Sequence, residues 1–224
     1  MSFYPVSLDL EKKLCVVIGG GRVAERKVSG LLSCAAQVLV ISPELTDRLL
    51  RQYNEGAIDW LDREYRQGDL KQAFLVIAAT NDEETQKQVY DEAAAHNLLL
   101  NVADVPHRCN FILPATARQG DLMISISTAG KSPALARKLR MELEKIYGVE
   151  YRILVDILGV IRPQILASGL PQSENEQIFK QLLHDDMADW IRSQDWPSLE
   201  NHFEKVLGDR VGGDWLQKIR PLYL

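Results

Sequence analysis

In the first half of the chain, short apolar runs alternate with apolar positions spaced three and four residues apart. Residues 14–18, Leu-Cys-Val-Val-Ile, read as a buried strand that ends in three glycines, and Ala24, Val28, Leu31, Leu32 and Ala35 then recur at helical spacing. Residues 38–41 make a second strand run, 58–61 and 74–79 two more, and 98–102 another. Asn81, with Glu84 three residues later, predicts a capped helix reaching about residue 97. Strands that alternate with helices in this way predict an α/β unit built on a parallel sheet with crossover helices.

The pattern changes after Phe111. Residues 111–118 and 122–128 are rich in β formers and are joined by Gln119-Gly120-Asp121, which predicts an antiparallel hairpin. Ser132 and Pro133 predict a helix start, with a capping hydroxyl and proline at the first helical position. Leu135, Leu139, Leu143 and Ile146 fall on one face of that helix. Beyond Gly148 the chain reads as short amphipathic helices, broken at Pro163, Gly169-Leu170-Pro171, Asp195-Trp196-Pro197 and Gly212-Gly213.

At 224 residues the chain has room for a nucleotide-binding domain and one or two smaller units. Cys15, Cys34 and Cys109 are odd in number and scattered, so neither a disulfide framework nor a zinc site is expected, which fits a reducing, cytoplasmic setting. No stretch approaches the roughly 20 apolar residues of a membrane span. A formal net charge of -5 gives no reason to expect nucleic acid or an anionic membrane as partner. Between residues 105 and 145, however, seven Lys or Arg face three acids. A basic middle suits a small polyanionic ligand, and equally a solvated helix face.

Gly19-Gly20-Gly21-Arg22-Val23-Ala24 matches G-x-G-x-x-A between a strand and a helix. Gly19 permits the tight turn, Gly21 lets the backbone approach a pyrophosphate, and Ala24 allows close helix-strand packing. The acid that usually holds the ribose, about 20 residues on, is replaced by Ser42-Pro43-Glu44. Ser42 or Glu44 can take that role, and a carboxylate there repels the extra phosphate of NADP, which favours NAD. Thr80 and Asn81 lie at the end of a strand, where they can touch a cofactor, cap the next helix, or do both.

Asn101 and Asp104 follow the 98–102 strand and are expected on the sheet edge that carries the glycine turn. Asp104 is a candidate acid-base group near a nicotinamide or a simple turn former, and Asn101 is open to the same two readings. His107 reads as a proton shuttle or a surface histidine, Cys109 as a reactive thiol or a packing residue. Thr128-Ala129-Gly130-Lys131-Ser132-Pro133 offers hydroxyls, a lysine and a helix start to a carboxylate or phosphate. It serves equally as an ordinary strand-to-helix turn. It lacks the spacing of a Walker loop, so ATP chemistry is not expected.

Taken in order, Gly19-Gly20-Gly21-Arg22-Val23-Ala24-Glu25-Arg26-Lys27, Ala78-Ala79-Thr80-Asn81-Asp82, Asn101-Val102-Ala103-Asp104, Cys109-Asn110-Phe111-Ile112-Leu113-Pro114-Ala115 and the segment from Ile124 to Ala136 resemble the precorrin-2 dehydrogenase/sirohydrochlorin ferrochelatase family. The resemblance covers about the first 150 residues. It implies a Rossmann domain over 1–113, a small α+β dimerisation domain over 114–148 and a helical domain over 149–224, with the active cleft shared in a homodimer. It also implies NAD-dependent oxidation of precorrin-2 to sirohydrochlorin, with ferrous iron insertion in some members. The family's key aspartate falls on Asp104, and its nucleotide contacts on Arg22, Val23, Pro43 and Glu44. Thr128 stands where the family often has serine, which keeps the hydroxyl.

Precorrin-2 carries several carboxylates, which suit the positive charge around Arg118, Lys131, Arg137 and Lys138, with Thr128 and Ser132 beside them. No metal-ligand cluster is expected. A methyltransferase domain does not fit into the chain, so precorrin-2 is expected from a separate protein. The rival readings are a bifunctional enzyme that also inserts iron, a non-catalytic NAD- or tetrapyrrole-binding module, and a general alcohol or acid dehydrogenase.

Overall fold

The apolar runs of the first half pair as strands, because a sheet covered on both faces buries continuous rather than alternating runs. In the computed structural model, which describes residues 3–208 and 215–222, the chain divides into two units between Leu113 and Pro114.

The first unit holds β1 (Leu14–Ile18), α1 (Arg22–Leu32), β2 (Gln37–Ile41), α2 (Asp47–Asn54), β3 (Asp59–Leu61), β4 (Leu75–Ala78), α3 (Glu83–Ala95) and β5 (Leu99–Val102). The five strands form one parallel sheet in the order β3-β2-β1-β4-β5. Strand order therefore reverses between β1 and β4, the point at which open α/β sheets bind ligands beyond the strand ends. Cys15 and Val17 of β1 pack with Ala24, Val28 and Leu31 of α1 on one face, and Val16 and Ile18 with Val89 and Ala93 of α3 on the other. Burial, with Cys34 adding to it, pushes the Cys15 thiol up to about 11, so it remains a protonated packing group.

One detail of this unit, the cap of α3, differs from the sequence expectation. The cap of α3 is Asp82, whose carboxylate accepts from Thr85 N at 2.7 Å, and not Asn81. Residues 62–73, which carry no regular element, are held from a distance by the buried carboxylate of Glu92 on α3. It accepts from Gly68 N at 2.7 Å, Leu70 N at 3.0 Å and the Tyr65 hydroxyl. Burial first, then the bond to Glu92, push the Tyr65 phenol well above its ordinary value. A bidentate pair between Arg63 and Asp69, at 2.8 Å on each arm, closes the same segment.

The second unit begins with the predicted hairpin, β6 (Ala115–Gln119) antiparallel to β7 (Leu122–Ile126), with Gly120 in the turn at φ +58°. It continues through α4 (Pro133–Ile146), α5 (Val149–Ala167), α6 (Gln172–Leu182), α7 (Met187–Ser193), α8 (Trp196–Leu207) and α9 (Trp215–Ile219), then a short 3-10 turn at Arg220–Leu222. Ser132 caps α4 as predicted, its hydroxyl oxygen accepting from Leu135 N at 3.2 Å. The expected break at Pro163 does not occur, and α5 runs through it. Ile157, Ile161 and Ile165, all fully buried, lie on the opposite side from the exposed proline. Burying three isoleucines contributes more than the roughly 3 kcal/mol that an interior proline costs. The predicted break at Gly212-Gly213 lies outside the described residues.

The start of α5 is tied to α7 by Glu150, a buried carboxylate that accepts from Arg192. Burial pushes this carboxyl up, but the Arg192 guanidinium and nearby backbone N–H groups outweigh it and hold it below the usual glutamate range. A folded value below the unfolded one stabilises above the unfolded pKa and is lost as pH falls through the folded value. Glu150→Gln is therefore expected to cost about 2 kcal/mol at neutral pH, and the gap to wild type should narrow progressively as pH falls below the ordinary glutamate range. Urea unfolding at neutral and acidic pH checks this; a gap unchanged by acid contradicts it.

Candidate functional site

Three loops leave neighbouring strand ends of the first unit side by side. The glycine turn follows β1, Ala79 and Thr80 follow β4, and Ala103 and Asp104 follow β5. The sheet ladder continues into them, with Gly19 N bonded to Ile41 O at 2.9 Å, Ala79 N to Ile18 O at 2.7 Å and Ala103 N to Ala78 O at 2.8 Å. At about 4.8 Å per strand, Asp104 stands roughly 10 Å along the edge from the glycine turn.

The turn itself meets the demands of a dinucleotide. Gly19 has φ +107°, and a Cβ there would lie 2.5 Å from the carbonyl oxygen of Ala79. A Cβ on Gly21 would meet no protein atom within 4 Å, which leaves that approach open to a ligand. Gly21 is also the N-cap of α1 and provides no side-chain cap, so the first N–H groups of the helix are free to face a pyrophosphate. Arg22 and Val23 are exposed at that helix start.

Ser42, Pro43 and Glu44 fold over the same turn. A Cβ on Gly20 would fall 1.9 Å from the carbonyl oxygen of Glu44 and 2.9 Å from Ser42 Oγ, so the middle glycine is the one that admits this loop. The motif reading gave Gly20 no role. Ser42 is buried and its hydroxyl accepts from Glu44 N at 3.4 Å, while Pro43 and Glu44 are exposed. Trp60 Nε1 donates to Ser42 O at 2.8 Å, and Thr46 Oγ1 donates to Glu25 Oε2 at 2.7 Å, tying the loop to β3 and α1. Those two anchors are long-range, and no local spacing announces them.

Thr80 is half-buried; its Oγ1 accepts from Asp82 N at 3.2 Å and its carbonyl from the buried Gln86 Nε2 at 2.7 Å. Asn81 beside it is exposed. Asn101 is buried, and its amide donates to Phe111 O at 3.1 Å, with Cys109 Sγ at 3.7 Å; its amide nitrogen is thus engaged within the framework.

Asp104 is exposed and holds φ +60°. Aspartate tolerates the left-handed region better than most residues, yet such a conformation costs about 1 kcal/mol and persists only where its surroundings fix it. Lys27 of α1 lies within its electrostatic reach. Burial holds the Lys27 ammonium below the usual lysine range and Arg26 adds to this, whereas Cys109 and Asp104 draw it back up. Its place beside the buried positions Ala24 and Val28 was readable in the helix pattern, but its proximity to Asp104 was not. His107 is exposed.

On the second unit, the 127–132 turn uses its hydroxyl oxygens locally. Thr128 Oγ1 accepts from Ser132 N at 3.0 Å, and Ser132 Oγ caps α4. The ordinary-turn reading describes those bonds in full. Lys131 and Arg137 are exposed, and Arg118 on β6 is exposed with its guanidinium 3.4 Å from Met123 Sδ. Lys138 is drawn to Glu142 at 3.8 Å. A shallow depression of about 370 Å³ along α4 is lined by Ala134, Arg137, Lys138, Met141, Glu142 and Lys145; Arg118, Lys131 and Ser132 are not part of it. Among the described residues, no three His, Cys, Asp or Glu side chains gather as a metal site, and no helix is long and apolar enough to cross a membrane.

Comparison with known proteins agrees across both units. The family model for NAD(P)-binding domains matches residues 6–115, and the model for the central part of sirohaem biosynthesis proteins matches 119–146. Siroheme synthase 1 of Aeromonas salmonicida is 36% identical over 186 residues, which cover 83% of this chain and 40% of that protein. The siroheme synthase of Nitrosococcus oceani is 39% identical over 165 residues, covering 74% and 35%. That of Photorhabdus laumondii is 31% identical over 207 residues, covering 92% and 44%. The chain thus spans less than half the length of these relatives. The solved structure of SirC, precorrin-2 dehydrogenase, superposes with a TM-score of 0.76 at 25% identity, over 98% of this chain and 100% of that one. The chain accordingly belongs to the family of siroheme synthase homologues, with an NAD(P)-binding unit followed by the sirohaem-biosynthesis central region.

Proposed function

We propose that this protein oxidises precorrin-2 to sirohydrochlorin with NAD as cofactor, and that Asp104 is the general base. The observation that carries the reading is the row of loops at one sheet edge, with a glycine turn open to a pyrophosphate and, two strands along, a carboxylate held at φ +60°. The similarity to SirC, a precorrin-2 dehydrogenase, and to the siroheme synthase relatives supports the same substrate class.

NAD supplies the hydride acceptor when bound. The chain's own residues do the remaining work. Gly21 and the free N–H groups of α1 hold the pyrophosphate, and Ser42, Pro43 and Glu44 face the ribose, where the Glu44 carboxylate disfavours NADP. Arg22, Val23, Thr80 and Asn81 border the cofactor, and Asn101 supports the floor beneath it. Asp104 accepts the proton that the macrocycle gives up as its hydride leaves, so precorrin-2 and NAD yield sirohydrochlorin, NADH and a proton. Arg118, Lys131 and Arg137 attract the carboxylates of the tetrapyrrole, with Thr128 and Ser132 shaping the turn between them. A methyltransferase activity supplies the substrate.

The protein acts as a homodimer in this reading. Leu135, Leu139 and Ile146 on α4 are 47%, 36% and 57% exposed, so most of the apolar face of that helix is left uncovered among the described residues, and Met123 and Val149 are exposed as well. An exposed apolar helix face of this kind suits a second copy. Leu139→Glu is expected to convert a dimer to a monomer by light scattering with little change in thermal stability. A monomeric wild type at micromolar concentration contradicts the dimer.

The activity is tested by anaerobic incubation with precorrin-2 and NAD, in which NADH appears. Tight binding of both ligands without NADH would make the protein a binding module instead. Iron insertion is a separate activity, measured with sirohydrochlorin and ferrous iron in the absence of NAD.

A further inference from the structure

Beyond β5 the chain turns at Ala103 and Asp104, makes a 3-10 turn at Pro106–Arg108 and returns along the free edge of β5. Asn110 closes the base of this loop by standing in for a strand. Its N–H donates to Leu100 O at 3.1 Å, its Oδ1 accepts from Leu100 N at 2.8 Å and its Nδ2 donates to Leu98 O at 2.7 Å. Inside the loop sits the half-buried thiol of Cys109. Its Sγ accepts from Val102 N at 3.2 Å and lies 3.7 Å from Asn101 Nδ2. The same sulfur stands 3.3 Å from Val102 O and 3.4 Å from Val105 O, and its single S–H donates to one of them at a time. Val102 and Val105 are bonded across the turn, Val105 N to Val102 O at 3.3 Å, and Asp104 lies between them.

The left-handed conformation of Asp104 needs a frame that fixes it. The backbone on either side of Asp104 meets at a single side-chain atom, Cys109 Sγ. A thiol suits the position because sulfur bonds at 3.2 to 3.7 Å reach several backbone groups from one point. We propose that Cys109 is a positioning residue for the reaction, its thiol clamping Val102 and Val105 so that the Asp104 carboxylate is held in its working orientation. This rests on the reading of Asp104 as the base. It gives the cysteine a role that neither a packing residue nor a reactive thiol has.

The experiment compares Cys109→Ala, Cys109→Ser and Asp104→Ala, with Cys109→Ala also placed on the Asp104→Ala background. NAD affinity, thermal unfolding and steady-state oxidation of precorrin-2 are measured for each. Cys109→Ala is expected to lower kcat about tenfold, a misplacement effect, while the tetrapyrrole KM and the NAD Kd stay within about threefold. Cys109→Ser keeps a donor and an acceptor and is expected to recover most of the loss. On the Asp104→Ala background the alanine change has no further effect, because its route runs through Asp104. If Cys109→Ala does not fold, Cys109→Val provides the apolar arm. A kcat within twofold of wild type in the apolar variant, a serine variant as slow as alanine, or an undiminished loss without Asp104 overturns the proposal. Full turnover by Asp104→Ala overturns the base reading beneath it; a slow Asp104→Ala beside a normal Cys109→Ala overturns only the role of the cysteine.

Discussion

Asp104→Ala is expected to lower kcat for precorrin-2 oxidation by about 10²- to 10⁴-fold, the range for loss of a positioned general base. NAD affinity should stay close to wild type, because the glycine turn that holds the pyrophosphate lies two strands away, at the end of β1. Stability should fall only slightly, by about 1 kcal/mol or less, since the carboxylate is exposed but alanine tolerates the left-handed backbone less well than aspartate. Asp104→Gly would relieve that backbone conformation altogether. The pair of variants separates chemistry from scaffold: both lose turnover, and neither loses the fold. An Asp104→Ala enzyme that turns over at the wild-type rate removes the carboxylate from the mechanism.

Substitution of the second and third glycines is expected to divide folding from cofactor binding. Gly20→Ala places a methyl 1.9 Å from the backbone carbonyl of Glu44, where no flexible side chain can move aside. The loop 42–44 must shift, at a cost of roughly 1–3 kcal/mol or more, and Tm should fall by about 5 °C. Gly21→Ala meets no protein atom within 4 Å, and its φ of −82° is open to alanine. Its stability should stay within about 0.5 kcal/mol of wild type, while NAD affinity falls at least tenfold as the methyl enters the pyrophosphate approach. Thermal unfolding with and without NAD, together with NAD titration, reads both. A Gly21→Ala protein that binds NAD normally places the pyrophosphate elsewhere.

Much of the first unit was legible because its physics is local. Parallel strands covered on both faces read as unbroken aliphatic runs, and β1 appears over the residues its run marks. The glycine turn and the Ser132-Pro133 helix start were equally plain, since each rests on the conformational needs of one or two residues. What escaped depends on distant partners. Residues 62–73 take their form from Glu92 on α3, and no window of sequence joins Gly68 to a carboxylate 24 positions away. The role of Gly20 appears only when Glu44 is brought against it. α5 passes through Pro163 because its isoleucine face is buried by later helices. The stripe on α4 was read correctly as apolar, but its exposure requires knowing what the rest of the chain leaves uncovered.

The candidate site divides along the same line. The residues at the strand ends follow from the strand pattern, and their order along the edge follows from sheet topology. The 127–132 turn was open to two readings because hydroxyl oxygens that cap N–H groups and those that bind anions look alike in sequence. The bonds from Ser132 N to Thr128 and from Leu135 N to Ser132 account for the turn without a ligand. Lys131 and Arg137, exposed on the same unit, carry the anion-binding expectation in their place.

The proposed reaction removes a hydride from precorrin-2 and delivers it to NAD. Its most direct test is anaerobic turnover of the purified protein with precorrin-2 and NAD, following NADH absorbance and sirohydrochlorin together. The two products are predicted to rise in step, one for one, with NADP a poor replacement. Sirohydrochlorin formed without matching NADH, or precorrin-2 bound and left unchanged in the presence of NAD, would contradict the account.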